Sequence, residues 1–436
     1  MLRDYVRSMC GFNLNVRLFL AQTFIAGIYA GIYGVVFNLY VLRMGFDTGF
    51  LGLLLSVTLL ASALASIPAG VLCDRISHKT ILVVCGLLSL IAILPLFLSS
   101  SPEVMLLSSA VSGIFGQITL VCATPFLTEN CEKGGMTHVF SASSALAWGA
   151  SVIGYAAGGV LPYVWPQLRV MGDQYRLTML ASLVLLLVGW TLLLFLKENK
   201  HVVQQSCRPA FSLRPSPAVL KFALITLVIG IGSGMVVPYF NVYFTRIVHA
   251  SVFATGLVFA VAGMFMVAGF VAIPWLSART GKAKSAVYTQ VASLPFLLLM
   301  AVTGNFLFAS FAYTMRMLLM NMAAPAMTSL QMEIIRPEER GYAVGLISMT
   351  QSLAIAGATY MSGLLMAGGN YTLPFMVTCS AYVVAAGLLY YYFGHDRERQ
   401  TGIFGGGRGG IRYRNTTPVR QPVTSPASRH VEATSD

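Results

Sequence analysis

Apolar runs of about twenty residues recur along the whole chain, each long enough to cross the hydrocarbon core of a bilayer as a helix. Twelve spans centre on residues 18–40, 50–71, 80–98, 104–128, 139–161, 178–196, 219–245, 253–276, 285–303, 306–330, 343–366 and 372–393. Nothing else constrains the fold as strongly, because backbone polar groups in lipid must be satisfied within the chain itself. The runs are continuous and lack the alternation of barrel strands. Composition agrees. Of 436 residues, 56% are apolar and 10% charged, against about 25% charged in a soluble protein. The expected fold is an all-α integral membrane protein with twelve transmembrane helices. The first run is too long for the core of a cleaved signal peptide.

An even number of spans puts both termini on one side, and the basic residues say which. Of the 28 Lys and Arg, 23 fall in the termini and in the loops of the terminal side. Arg43, Arg169, Arg176 and Arg246 lie on the other side, and Arg316 lies within a span. The termini are therefore expected in the cytoplasm and the protein in the cell membrane. The net charge of +13 is then a topology signal with weak attraction to anionic lipid heads, and no nucleic-acid partner is expected. Seven scattered cysteines without C-x-x-C read as small apolar filler, and no metal site or cofactor is expected. Residues 197–221 form the longest polar connector. They divide a six-helix bundle at 1–196 from a second at 222–394. The tail 395–436, with Gly405-Gly406-Gly407-Arg408-Gly409-Gly410, has little apolar surface to bury and reads as a disordered cytoplasmic segment.

Charge is scarce in the first half, yet it clusters in Gly70-Val71-Leu72-Cys73-Asp74-Arg75-Ile76-Ser77-His78-Lys79. A degenerate copy, Leu276-Ser277-Ala278-Arg279-Thr280-Gly281-Lys282-Ala283-Lys284, recurs in the second half. An offset of about 204 residues brings the halves into register. Arg75 meets Arg279, Glu129 meets Glu333, and Gly52-Leu53 meets Gly256-Leu257. With a one-residue slip, Phe37-Asn38-Leu39-Tyr40 meets Phe240-Asn241-Val242-Tyr243. Slipped the other way, Tyr155 and Gly158 meet Tyr360 and Gly363. The first loop resembles the helix 2–3 loop of the major facilitator superfamily, roughly G-x-L-x-D-R-x-G-R-K. Gly70, Leu72, Asp74, Arg75 and Lys79 match, with Ser77 and His78 as departures. The resemblance covers about residues 15 to 395. It implies two parallel six-helix repeats around a midplane site.

The same resemblance implies a gate at the cytoplasmic face. Arg75 is expected near Glu129, and Arg279 near Glu333, with Lys79 and Lys282 in the same loops. Asp74 is expected to face the start of helix 11 near Arg340-Gly341, where the helix dipole favours a carboxylate. Ala278 stands where Asp74 stands in the first half, so that copy of the latch is weaker. Exposed pairs of this kind contribute about 0–1 kcal/mol each, which suits a latch that opens.

Arg316 falls near the middle of the tenth span, where a charge is costly without a partner or a wet cavity. No acid lies inside a predicted span, so the expected partner is an anionic substrate, a Tyr hydroxyl, backbone carbonyls or water. By register Arg316 corresponds to Ser112, whereas drug–proton antiporters of the superfamily carry their Arg in helix 4. Helical spacing groups Gln22, Tyr29 and Tyr33 on one face of helix 1, with Gln117 on helix 4. Trp148, Gln351, and Tyr239 and Asn241 beyond the Gly-Pro break of helix 7 complete the cavity candidates. Interhelical hydrogen bonding is the alternative reading for each. Gly154-Tyr155-Ala156-Ala157-Gly158-Gly159 resembles the G-P-x-x-G-G element of antiporters with Tyr in place of Pro, and packing is its main reading.

The expected function is secondary transport of a small organic solute by alternating access, with an anionic substrate at Arg316 as one form of it. Facilitated diffusion, anion exchange and drug–proton efflux stay open, since no buried carboxylate announces a coupling proton. The expected partners are the solute, a coupling ion such as H+ and lipid, and the protein is expected to act as a monomer. A membrane enzyme would need clustered acids, His or a nucleophile motif, and the six histidines are dispersed. A sensor would be expected to carry a larger soluble domain.

Overall fold

A computed structural model describes residues 13–131, 136–169, 172–197, 215–336 and 339–394. Twelve long helices run through them: α1 Leu14–Arg43, α2 Thr48–Arg75, α3 His78–Leu98, α4 Pro102–Glu129, α5 Met136–Gln167, α6 Gln174–Leu194, α7 Pro217–Val236, α8 Val252–Thr280, α9 Lys282–Val302, α10 Phe306–Ile334, α11 Arg340–Ala367 and α12 Thr372–Phe393. Eleven of them, taking α7 through to Ile247, are long and apolar enough to cross a membrane. The exception is α11, where Ser348, Thr350, Gln351, Ser352, Thr359 and Ser362 dilute an otherwise apolar helix.

Local chemistry fixes the helix ends. Asn13, Asp47, Ser77, Asp173, Ser251 and Asn305 each cap a helix by accepting a backbone N–H through the side chain, satisfying donors that a helix start leaves open. Pro102 and Pro217 open α4 and α7, where a missing N–H costs nothing. Gly281, at φ +89°, ends α8 and leads directly into α9; that backbone conformation disfavours a side chain. The helices outrun the apolar spans because Arg43, Arg75 and Glu129 continue the last turns. Helix α7 starts inside the stretch read as connector. It then breaks as expected, into a 3₁₀ turn at Val237–Tyr239, a short helical segment at Phe240–Val242 and a π turn at Tyr243–Ile247.

The packing repeats. Within the first half α1 lies against α5 and α6, α4 against α2 and α3, and α3 against α6. Within the second, α7 lies against α11 and α12, α10 against α8 and α9, and α9 against α12. The halves meet chiefly through α2 on α11 and α5 on α8, two copies of one contact. The rest of the connector and the tail lie outside the described residues.

Candidate functional site

The end bearing the α2–α3 turn is called the loop end; the α1–α2 turn lies at the far end. At the far end the halves are sealed. Gly52 of α2 faces Gly363 of α11 so closely that a Cβ on Gly52 would stand 3.0 Å from the Gly363 Cα and 2.6 Å from the Tyr239 hydroxyl. Its repeat counterpart, Gly256 of α8, meets Gly159 of α5, where a Cβ would stand 2.8 Å from the Gly159 Cα. Only residues without a side chain let these helices approach so far.

A polar lock crosses the axis between α1 and the α7 break. The Asn38 amide donates to Asn241 Oδ1 at 2.8 Å and to the Pro238 carbonyl at 2.6 Å. The Asn241 amide donates to the Val35 and Gly34 carbonyls at 3.1 and 3.2 Å. The two asparagines are repeat counterparts, and so are the two carbonyls at 35 and 238. Each half therefore holds the other by the same bond. Further out, Tyr40 donates to the Phe97 carbonyl at 2.9 Å and Tyr243 to the Met300 carbonyl at 2.8 Å, again one bond made twice.

Toward the loop end the same helix faces part. Gly70 lies eighteen residues, about five turns, beyond Gly52 on the same face of α2, and a Cβ there would meet nothing within 4 Å. Gly345 lies five turns from Gly363 on α11 and is equally open. On the α5–α8 contact, Trp148 and Val267 lie about three turns from Gly159 and Gly256 on the facing sides, and both are exposed. The interfaces that touch at the far end thus diverge into a cleft at the loop end.

Several cavity candidates lie elsewhere than expected. Tyr239 is buried in the seal, its hydroxyl donating to the Thr359 carbonyl at 2.6 Å, and Asn241 is buried in the lock. Both are polar because their sites demand hydrogen bonds across packed helices. Tyr29, Tyr33 and Phe37 form a ladder of rings along α1, with centroids 5.9 and 4.3 Å apart. Gln22 and Gln117 are half-buried. Gln351 lines a cavity of about 340 Å³ between α7, α9, α10 and α11, together with Thr226, Gln290, Gln331 and Ser348. Gln290, on α9, has no counterpart among the expected residues.

Arg316 is 2% exposed. One terminal nitrogen donates to the Tyr382 hydroxyl at 3.1 Å, the other lies 3.5 Å from the Met317 sulfur, and the guanidinium stacks 4.8 Å over the Phe240 ring. Its Nε has no hydrogen-bond partner, and no carboxylate among the described residues lies within 4.0 Å. Arg316 therefore sits behind the α7 break and does not line the 340 Å³ cavity.

At the loop end the partners of the two carboxylates differ from those expected. Glu129 is held by His78 at 2.8 Å, and Glu333 by Lys282, which also donates to Ser329 at 2.6 Å. Arg75 is exposed, and Arg279 stacks 4.0 Å over Trp275. The first turns of α3 and α9 abut the ends of α4 and α10, so position 78 and its counterpart 282 reach the carboxylates. The 204-residue register, which matches His78 to Lys282 as it matches Glu129 to Glu333, was the signal for this. Lys79 is half-buried beside His78. The side chains of Asp74 and Arg340, and so the expected contact of Asp74 with α11, lie outside the described residues.

A bundle whose repeat-related halves meet at one end and part at the other has the architecture of an alternating-access transporter. The family model described as Major Facilitator Superfamily matches residues 19–358 and again 222–429, and the chain belongs to that superfamily. No curated protein sequence matches the chain. Among solved structures it is similar to the nucleoside transporter NupG, at TM-score 0.72 and 14% identity, covering 88% of this chain and 99% of that one. It is also similar to a bacterial homologue of the human lysosomal transporter Spinster in an inward-facing, occupied conformation, at TM-score 0.69 and 16% identity, covering 86% and 95%. A bacterial homologue of the iron transporter ferroportin, inward-facing, gives TM-score 0.67 and 14% identity over 86% and 98%. The protein is a secondary transporter.

Proposed function

We propose that this transporter carries a small organic solute across the cell membrane through the cleft at the loop end, with that end and both termini in the cytoplasm. The observation that carries the reading is the pair of contacts, α2 on α11 and α5 on α8, closed at Gly52–Gly363 and Gly159–Gly256 and open at Gly70 and Gly345. The basic residues concentrated at the loop end support the orientation. The two inward-facing neighbours support the state. The halves 1–196 and 222–394 then rock against one another, and the Asn38–Asn241 lock opens with the far end as the loop end closes. A monomer holds the whole pathway, and a coupling ion such as H+ is compatible with the design.

Spin labels test this in purified protein lacking its native cysteines. One pair, at Leu168 and Phe253, reports the far end; another, at Ile76 and Val344, reports the loop end. Added solute is expected to lengthen the first distance and shorten the second. A single fixed distance at both ends under every solute that binds would defeat alternating access.

A second reading, an organic anion bound at Arg316, has one observation in its favour. This buried guanidinium keeps unfilled donors and has no described carboxylate nearby. It requires Phe240 to move away and open Arg316 to the cleft. Loss of anion binding in Arg316→Met, with uncharged solutes unaffected, would establish it.

A further inference from the structure

The second half contains a polar recess beside α9. Helix α9 presents Ser285, Thr289, Gln290 and Ser293 to the protein interior, all buried. The hydroxyls are satisfied locally: Thr289 donates to the Ser285 and Ala286 carbonyls, Ser293 to that of Gln290, and Ser285 to that of Lys282. Gln290 is different. It is 2% exposed, and its Oε1 has no hydrogen-bond partner among the described residues. Leaving such an atom unpaired in a packed interior costs about 1–3 kcal/mol.

Gln290 lines the 340 Å³ cavity, whose opposite walls carry Gln331 and Gln351. These two amides are half-buried. Three glutamine side chains thus converge on one space from α9, α10 and α11. Met320, Met327 and Met332 supply much of the remaining surface, and no lining residue is charged. The volume falls at the small end of ligand pockets, which run from about 300 to 1,000 Å³.

The counterpart of Gln290 in the first half is Gly86. There a Cβ would stand 3.1 Å from the Trp190 ring, whose N–H is fixed on the Val83 carbonyl at 2.9 Å. At this position an indole packs against the helix in one half, and in the other an amide borders a cavity. Helix packing alone does not call for that difference.

We propose that this cavity is the solute site and that Gln290 is its deepest specificity residue. An amide offers an acceptor beside a donor, so it pairs best with a ligand carrying adjacent N–H and C=O or ring-nitrogen groups, the geometry by which glutamine reads a base edge. Thioethers pack well on aromatic rings and adapt to their outline. The absence of charge in the lining disfavours ions, which would be desolvated without a partner. The chemistry selects an uncharged, planar heterocycle with lactam-like or amidine-like edges, bound within the second half. This inference rests on the transporter reading above and names its solute class.

The test uses purified full-length protein and four probes: uridine, adenosine, glucose and benzoate. Uridine or adenosine should stabilise the wild type in a thermal-shift titration. Gln290→Met, close in volume and without the amide, should weaken that binding about ten-fold, the scale of one lost buried hydrogen bond. The unliganded melting temperature should hold or rise, because the orphaned oxygen is gone. Should Gln290→Met fail to fold, Gln331→Met at the half-buried wall gives the same readout. Equal binding by wild type and variant, or no response to either heterocycle, overturns the site. Counterflow in proteoliposomes separates the two claims. Heterocycle counterflow with a KM unchanged in Gln290→Met sinks the site and leaves the transporter. Gln290-dependent binding without counterflow sinks transport of that solute and leaves the site. Benzoate binding that disappears in Arg316→Met overturns the proposal in favour of the anion reading.

Discussion

The Asn38–Asn241 lock is a contact that one conformational state has and the other must break, so its removal is expected to move the balance between states. Asn241→Leu keeps the approximate shape of the side chain. It deletes the bond received from Asn38 and the two bonds given to the Gly34 and Val35 carbonyls. Interhelical hydrogen bonds in membrane proteins average about 0.6 kcal/mol each, and three give about 2 kcal/mol. That shifts a two-state equilibrium about thirty-fold. With the far end open the asparagines are expected to be hydrated, so the loss falls on the sealed state. Labels at Leu168 and Phe253 should show the far-end population opening in Asn241→Leu. Asn38→Leu deletes two bonds and should do the same to a smaller extent. The double variant should cost less than the sum of the singles, because it leaves no orphaned amide behind. If Asn241→Leu lowers the melting temperature while leaving the distance distribution unchanged, the pair holds the fold in both states and the reasoning fails.

The glycine contacts give a steric counterpart. Gly256→Val places a Cβ 2.6 Å from the Tyr155 carbonyl oxygen, so the far end should not close, and the far-end label distance should lengthen without solute. A normal closed distance would show that α5 and α8 can yield. At the loop end, Lys282 and Glu333 are partly exposed, so Glu333→Gln should alter transport rates by less than about ten-fold; a complete loss of counterflow would assign it a role beyond a latch. Asp74→Asn is expected to change transport rates in vesicles, and unchanged rates would remove Asp74 from the gate. For Arg316, replacing a buried charge by an apolar side chain is often neutral or stabilising. Arg316→Met is therefore expected to keep its melting temperature and its counterflow of uncharged heterocycles, and a large drop in stability would make the residue structural.

Much of the fold can be read from the sequence because its signals are repeated. Span length and the 204-residue offset both point to the same twelve helices. The α7 break follows from Pro238 and the glycines before it. The glycines of α5, read as packing residues, meet α1 and α8, where Gly158 lies against Ile32 and Gly159 against Gly256. The site is harder to read. Tyr239 and Asn241 carry the polarity of cavity residues, but hydrogen bonding in a dry interface demands the same residue types, and sequence does not separate the two. Arg75 and Arg279 attract attention as charges, yet the chain places the next helix start, His78 and Lys282, against Glu129 and Glu333. Gln290 gives the weakest signal of all, a single amide among hydroxyls on an apolar span. Its meaning depends on an empty volume that three other helices create.

Symmetry itself distinguishes framework from specificity in this chain. The contacts made twice, Asn38 with Asn241, Tyr40 with Phe97 and Tyr243 with Met300, and Gly52 with Gly363 and Gly256 with Gly159, lie at the axis or the far end. They bind the halves to one another or tie α1 and α7 to neighbouring helices, so a change in one copy would strain a geometry that both copies serve. The features made once are different. Arg316 answers to Ser112, Gln290 to Gly86 and Trp190 to the end of α12, and none of them mediates the repeated contacts. A pseudo-symmetric rocking machine can tolerate asymmetry only where its halves need not match, and a solute without the same symmetry requires it there. On the proposal made above, Gln290 among the unmatched residues marks where this transporter recognises its cargo, and the matched ones mark how it moves.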